Sequence, residues 1–184
     1  MPIKAIAVFC GSKTGANPIY LDHARELGMI MAKHAISLIY GGGKAGLMGI
    51  VADSSLQHGG TVRGIIPKIL VNKEHQHDGL SELLVVEDMH QRKRKLYELC
   101  DAAIILPGGF GTLDEMFEII TWNQLTIHDK KIFILNSGGF YNHLLDHLQT
   151  MKDEGFLYNN LDDCITMINE PQEFIKHFDQ RPML

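Results

Sequence analysis

Short apolar runs alternate along this chain with longer stretches whose apolar positions recur at helical spacing. The short runs, bounded by Gly, Pro or Asn, have the length and composition of strands, and the stretches between them the period of amphipathic helices. Alternation of this kind predicts an α/β fold in one domain over residues 1–184, with a mostly parallel sheet of about seven strands and helices on both faces.

Ile3–Phe9 reads as the first strand, leaving through Cys10-Gly11-Ser12. Asn17 then caps a helix with Pro18 at its first position, running to about His34. Ile36–Tyr40 is a second strand ending in Gly41-Gly42-Gly43, and a helix from about Leu47 stops at Gly59-Gly60. Thr61–Ile66 is a third strand, closed by Pro67. Residues 68–80, with Lys, Glu, His and Asp, read as an irregular surface loop. After a fourth strand at Leu83–Val86, Asp88 and Gln91 form a capping box for a helix from Met89 to about Cys100. Ala102–Leu106 is apolar throughout, as in a strand buried on both faces. Beyond Gly108-Gly109-Phe110-Gly111, Thr112 opens a helix to about Thr126, and Thr112-x-x-Glu115 has the form of a second capping box. Lys131–Leu135, Tyr141–Lys152, Cys164–Ile168 and Pro171–Phe178 follow as strand, helix, strand and helix.

Composition narrows the function classes. At 184 residues and 45% hydrophobic the chain can bury a full core, and a net charge of −5 argues against a dedicated nucleic-acid binder. Cys10, Cys100 and Cys164 lie far apart without zinc-type spacing, which predicts reduced thiols and a cytoplasmic setting. Met1-Pro2-Ile3-Lys4 carries no signal-peptide pattern, and no apolar run approaches the ~20 residues that span a bilayer, so no membrane partner is expected.

Two glycine-rich segments follow strands and lead into helices: Gly41 to Gly49, and Pro107-Gly108-Gly109-Phe110-Gly111-Thr112. At the carboxyl ends of parallel strands, such loops let backbone N–H groups and a helix N-terminus approach a phosphate. Neither closes with the Gly-Lys-Ser/Thr of a Walker A loop, and no acidic residue stands where a dinucleotide ribose would need one. A mononucleotide fits better than NAD. The plainer reading of both loops is a pair of tight turns.

Glu115 has two readings at this stage, a helix cap or a carboxylate facing a ribose, where it could stabilise an oxocarbenium-like centre or orient water. Gln91-Arg92-Lys93-Arg94-Lys95 is the one basic cluster. Basic charge in the first half of a helix opposes the macrodipole, a conflict that a bound anion relieves, and Arg92 suits a forked contact with phosphate or ribose oxygen.

Met89-His90-Gln91-Arg92-Lys93 followed by Pro107-Gly108-Gly109-Phe110-Gly111-Thr112-Leu113-Asp114-Glu115 resembles the paired signature of the Lonely Guy family. The resemblance extends through Phe9-Cys10-Gly11-Ser12, Tyr40 to Gly49, Gly64-Ile65-Ile66-Pro67-Lys68 and Ile120-Thr121-Trp122-Asn123-Gln124-Leu125, covering about residues 3–158. Members of that family are cytokinin riboside 5′-monophosphate phosphoribohydrolases, often labelled lysine decarboxylases. The resemblance implies a Rossmann-like fold, a homodimer with the helices carrying Arg92 and Glu115 near its interface, and neither metal nor organic cofactor. It also implies that Arg92 and Glu115 are the catalytic pair. Glu74, Arg92, Lys93, Gly109, Phe110, Gly111, Thr112, Leu113, Asp114, Glu115 and Thr121 would then bind the nucleotide, with Gly42 and Gly43 lining the same pocket. Asp114 stands where many relatives have Glu, residues 69–82 match the pattern poorly so that Glu74 rests on an ungapped reading with Asp78 as its rival, and no family motif is found after Asn159.

Other candidates carry less. His143 and His147 share a helix face without the Glu of a metalloprotease motif and read as solvent-facing. His75 and His77 alone make a poor metal site. Cys10 reads as a small packed residue rather than a nucleophile, and Trp122 and Phe117 as core or interface. No pyridoxal-type lysine site is discernible. The reading is therefore hydrolysis of a purine nucleoside 5′-monophosphate, cytokinin-type or AMP, to free base and ribose 5-phosphate. The rival from another class is a non-enzymatic nucleotide or cofactor-binding protein on the same fold.

Overall fold

The computed structural model describes residues 3–71, 76–158, 163 and 165–177. Along the chain come β1 (Ala5–Phe9), α1 (Ile19–Lys33), β2 (Ser37–Tyr40), α2 (Gly46–Gln57), β3 (Val62–Pro67) and the short α3 (Lys68–Val71). They are followed by β4 (Glu82–Val86), α4 (Met89–Leu99), β5 (Ala102–Ile105), α5 (Phe110–Gln124), β6 (Lys131–Leu135), α6 (Asn142–Asp153) and β7 (Ile165–Ile168). Tight 3₁₀ turns lie at Ser137–Gly139 and Pro171–His177.

The strands form a seven-stranded sheet in the order β4-β3-β2-β1-β5-β6-β7, every pair parallel. This is the α/β architecture that the alternating pattern predicts, Rossmann-like as the family resemblance implies. In β1, successive side chains go to opposite faces. Ile6 and Val8 join Leu27, Met31, Leu47 and Val51 of α1 and α2 in one core layer, while Ala7 and Phe9 join Leu96, Met116 and Ile119 of α4 and α5 in the other. Each fully buried Leu, Ile or Phe contributes roughly 1.5–3 kcal/mol of transfer free energy. Between α1 and α2 the backbones meet closely: a Cβ at Gly28 would overlap the Val51 carbonyl.

Side-chain caps act close to where the residues predict them. Asn17 Oδ1 accepts from Ile19 N–H at 3.1 Å at the start of α1. Asp88 Oδ1 accepts from Gln91 N–H at 2.8 Å at the start of α4, and Gln91 Oε1 reaches back to Glu87 N–H at 3.2 Å, one residue further than a standard box.

Three expectations need correction. Residues 68–80 are not a uniform surface loop. Lys68–Val71 continues as a helical turn, Gln76 pairs with Gly43 in an antiparallel bridge, and His77 is buried. The last predicted helix is a 3₁₀ run, Pro171–His177. Finally, Thr112 does not open α5. The N-cap is Gly109, in extended conformation, and the ladder begins with Leu113 N–H donating to Gly109 O at 3.1 Å. The glycine pair lets the chain turn into a helix before the first side-chain cap is reached. Thr112 falls on the stripe Thr112, Met116, Ile119, Ile120 and is buried instead of capping.

A candidate nucleotide-binding active site

Strand order reverses between β1 and β5, so the connections leaving these two neighbours depart toward opposite faces and open a crevice at their carboxyl ends. Gly11 N–H donates to the Pro107 carbonyl at 3.0 Å and holds the two sides of this crevice together. A cleft of about 350 Å³ lies there, walled by Ser12, Lys13 and Thr14 of the β1–α1 loop, Gly109 at the start of α5, and Tyr20 and Phe140 at the outer end. The Tyr20 and Phe140 rings meet edge to face with centroids 5.5 Å apart.

The two glycine loops, alike in sequence, have different fates. Leu47 and Met48 at the start of α2 both donate their N–H groups to the Gly11 carbonyl, at 3.0 and 3.4 Å. Gly46, at φ +61°, lies so close to Ser12 that a Cβ there would overlap the Ser12 carbonyl carbon. The N-terminus of α2 is thus covered by the chain itself, and its glycines serve backbone packing. At α5 the helical geometry leaves the N–H groups of Phe110, Gly111 and Thr112 without intrahelical acceptors beside the cleft, with the positive end of the helix dipole behind them. Gly108 permits this turn, since a Cβ there would overlap Thr112 Oγ1.

Arg92 belongs to the inward stripe of α4 with Leu96 and is 6% exposed. Its Nη2 donates to the Gly41 carbonyl at 3.3 Å, just past the end of β2. Glu115 is half-buried in the second turn of α5. Its charge is felt by Cys10, whose thiol is pushed far above its usual value, first by burial and then by Glu115. Cys10 therefore stays protonated and packed, as its surroundings in the sequence predict. The guanidinium and the carboxylate thus reach the same end of the sheet, one at β2 and the other at β1.

The basic cluster splits by direction. Lys93 Nζ sits 2.7 Å from Asp114 and 2.8 Å from Glu118, tying α4 to α5. Burial alone would lower the Lys93 pKa, but the two carboxylates outweigh it and raise the value above that of a free lysine. Tyr97 donates to Glu118 Oε2 at 3.1 Å and to the Glu115 carbonyl at 3.3 Å, strengthening the same seam. Arg94 and Lys95 face outward and pair with Glu98.

Other predicted residues are distributed as follows. Gly109, Phe110, Gly111 and Thr112 form the first turn of α5, with Leu113 and Asp114 following and Phe110 projecting fully into solvent. Gly42, at φ +79°, accepts from His77 N–H at 3.0 Å, and Gly43 bridges to Gln76. Thr121 lies about 16 Å along α5 from Phe110 at 1.5 Å per residue, on an exposed face, with Oγ1 donating to the Phe117 carbonyl at 2.7 Å. Glu74, His75 and Cys164 lie outside the described residues. His143 and His147 are exposed, and among the described residues no three metal-ligating side chains gather. Trp122 packs edge-on to Tyr97 at 4.8 Å, a core position.

Residue pattern alone does not single out Lys13, Thr14, Tyr20 and Phe140. Lys13 carried a signal, standing directly after the Gly11-Ser12 turn at a strand end, whereas the meeting of Tyr20 with Phe140 is purely tertiary.

Comparison with known proteins identifies the family of the chain. The family model described as "Possible lysine decarboxylase" matches residues 48–178. Cytokinin riboside 5′-monophosphate phosphoribohydrolase LOG7 of Arabidopsis thaliana is 42% identical over 178 residues, covering 96% of this chain and 82% of its own length. A probable enzyme of the same description from Oryza sativa subsp. japonica, LOGL2, is 42% identical over 177 residues, covering 96% of this chain and 72% of its own. The molybdenum cofactor carrier protein of Chlamydomonas reinhardtii superimposes with a TM-score of 0.71 over 94% of each chain at 19% identity, which establishes shared fold alone. With this span and identity, the chain belongs to the cytokinin riboside 5′-monophosphate phosphoribohydrolase (LOG) family.

Proposed function

We propose that this chain hydrolyses the N-glycosidic bond of a purine nucleoside 5′-monophosphate of the cytokinin or adenosine type, releasing free base and ribose 5-phosphate. The observation carrying the reading is the open N-terminus of α5, with Glu115 one turn behind it and the Arg92 guanidinium buried nearby. It is supported by relatives more than 40% identical that are named as cytokinin riboside 5′-monophosphate phosphoribohydrolases.

In this reading the 5′-phosphate rests on the N–H groups of Phe110, Gly111 and Thr112. Remote phosphate contacts hold the ribose so that Glu115 faces its anomeric carbon. The bond from that carbon to the base nitrogen breaks with its electron pair going to the base, which takes up a proton. The Glu115 carboxylate stabilises the oxocarbenium-like centre and orients a water, whose oxygen bonds to the carbon and whose proton is released. Arg92 offers a forked set of N–H donors, so its role is to hold substrate oxygens and offset negative charge. Lys93, committed to Asp114 and Glu118, sets the spacing of the two helices that carry the pair.

The active form in this proposal is a cytoplasmic homodimer. Thr121 is too far along α5 to meet a nucleotide at that helix's own N-terminus, and it shares its exposed surroundings with Phe117, Leu125 and Ile127, the last two 61% and 62% exposed. A second copy packed on this face buries those side chains and brings its Thr121 toward the neighbouring site. Incubation with AMP and with N6-isopentenyl-AMP, followed by chromatography for free base, tests the activity; tight nucleotide binding without release of base would instead identify a binding protein.

A further inference from the structure

We infer that His77 is a positioning residue for Arg92, acting through the Gly41–Gly43 turn; this rests on the reading of Arg92 in the proposed function. His77 falls in a stretch whose polar composition predicts a surface loop, yet it is only 6% exposed. Its ring is held at both nitrogens. Gly79 N–H donates to Nδ1 at 3.1 Å, so Nδ1 carries the lone pair and Nε2 the proton, which is directed at Asp53 Oδ1 of α2 at 2.9 Å.

The backbone of the same residue clamps the turn. His77 N–H donates to the Gly42 carbonyl at 3.0 Å, and its neighbour Gln76 bridges to Gly43. On the other side of the turn, the Gly41 carbonyl receives Arg92 Nη2. Three consecutive glycines form the most conformationally free run in the chain, and they stand between the fixed imidazole and the guanidinium. Fixing the ring to α2 removes that freedom, and the Gly41 carbonyl then presents one geometry to Arg92. The arrangement is that of an outer residue setting the orientation of one that touches substrate. A histidine that only filled space would need neither its two ring hydrogen bonds nor its place beside this turn.

The experiment compares wild type, His77→Ala, His77→Gln and Asp53→Ala, and repeats His77→Ala in an Arg92→Lys background. It measures kcat and KM with whichever nucleotide the wild type hydrolyses. Loss of the ring should lower kcat/KM about 10-fold. His77→Gln should return to within about 3-fold of wild type, because a primary amide accepts from Gly79 N–H and donates to Asp53. In the Arg92→Lys protein, removing the imidazole should cost nothing further, since residues acting as a unit are non-additive. Independent, multiplicative losses in that background would overturn the inference. Hydrogen exchange in the peptide carrying Gly41–Gly43 supplies an arm that needs no ligand: His77→Ala should exchange faster there, and unchanged protection overturns the inference whatever the activity. A wild-type protein that hydrolyses no nucleotide sinks the functional reading and leaves the exchange result to decide the role of His77.

Discussion

The guanidinium of Arg92 occupies the space that a side chain at Gly41 would fill, with its Nη2 3.3 Å from the Gly41 carbonyl. Gly41 does not adopt the left-handed backbone conformation that excludes other residues. Alanine therefore fits the backbone at this position and conflicts only with the arginine. Gly41→Ala should displace Arg92 and reduce kcat/KM by about 100-fold, comparable with removing the arginine's contact outright. If Gly41→Ala turned over substrate normally, Arg92 could not be acting from the position described.

Glu115→Gln should lower kcat by about 100-fold or more while nucleotide affinity is retained. Because α5 is capped by the Gly109 backbone, with Thr112 buried in its third position, the substitution removes no cap. Thermal denaturation should place the variant within a few degrees of wild type. Turnover near the wild-type rate would refute a role for the carboxylate at the ribose.

Removing the phosphate from the substrate should cost rate as well as affinity. With the α5 amides as the anion site, adenosine should be processed about 100-fold less efficiently than AMP, a loss of about 2.7 kcal/mol in transition-state stabilisation. The comparison of kcat/KM for the two at one ionic strength decides it. Equal values would mean that the α5 N-terminus does not read a phosphate.

Lys93→Met should destabilise the chain by about 1–3 kcal/mol, because two carboxylates on α5 lose their shared cation. The sign with pH follows from the raised pKa of this amine. Its contribution is fully present below the pKa of an unfolded lysine, near ~10.4, and is lost as pH rises through the higher folded value. Denaturation midpoints should show a constant gap between wild type and variant from pH 7 to 9, closing at strongly alkaline pH. A gap that widened there would contradict the ion-pair origin.

Leu125→Asp, on the exposed face that carries Thr121, should convert the proposed dimer into a monomer and abolish most turnover, while leaving the fold intact. Light scattering coupled to size exclusion reads the mass, and circular dichroism the fold. A fully active monomer would remove the second copy from the mechanism.

Strand and helix order was legible because the parallel sheet is buried on both faces, and continuous apolar runs such as Ala102–Ile105 have few other uses. Arg92 and Glu115 stand out as candidates through the motifs around them. What pattern alone could not decide was direction. Gly41 to Gly49 and Gly108 to Gly111 look alike as strings, and only the tertiary contact of Gly11 with Leu47 and Met48 separates a covered helix start from an open one. The polar run around His77 reads as a surface loop for the same reason: the residue's burial depends on Asp53, 24 positions away, and on a glycine turn that no local period predicts. Thr112-x-x-Glu115 satisfied a capping rule that the preceding glycines had already made unnecessary.

The hydrogen bond from Gly11 to Pro107 joins segments separated by more than half the chain. The crevice therefore depends on contact between segments far apart in the chain, with α1, α2, α4 and three further strands lying between its two walls, and the closure of so long a loop is entropically expensive. A nucleotide that spans this seam binds the finished sheet and no fragment of it. A nucleotide bound as proposed should therefore act on the whole cooperative unit, raising the unfolding temperature of all its parts together with the logarithm of ligand concentration, and a single cut in either half of the chain that lets β1 and β5 part should erase binding at a distance.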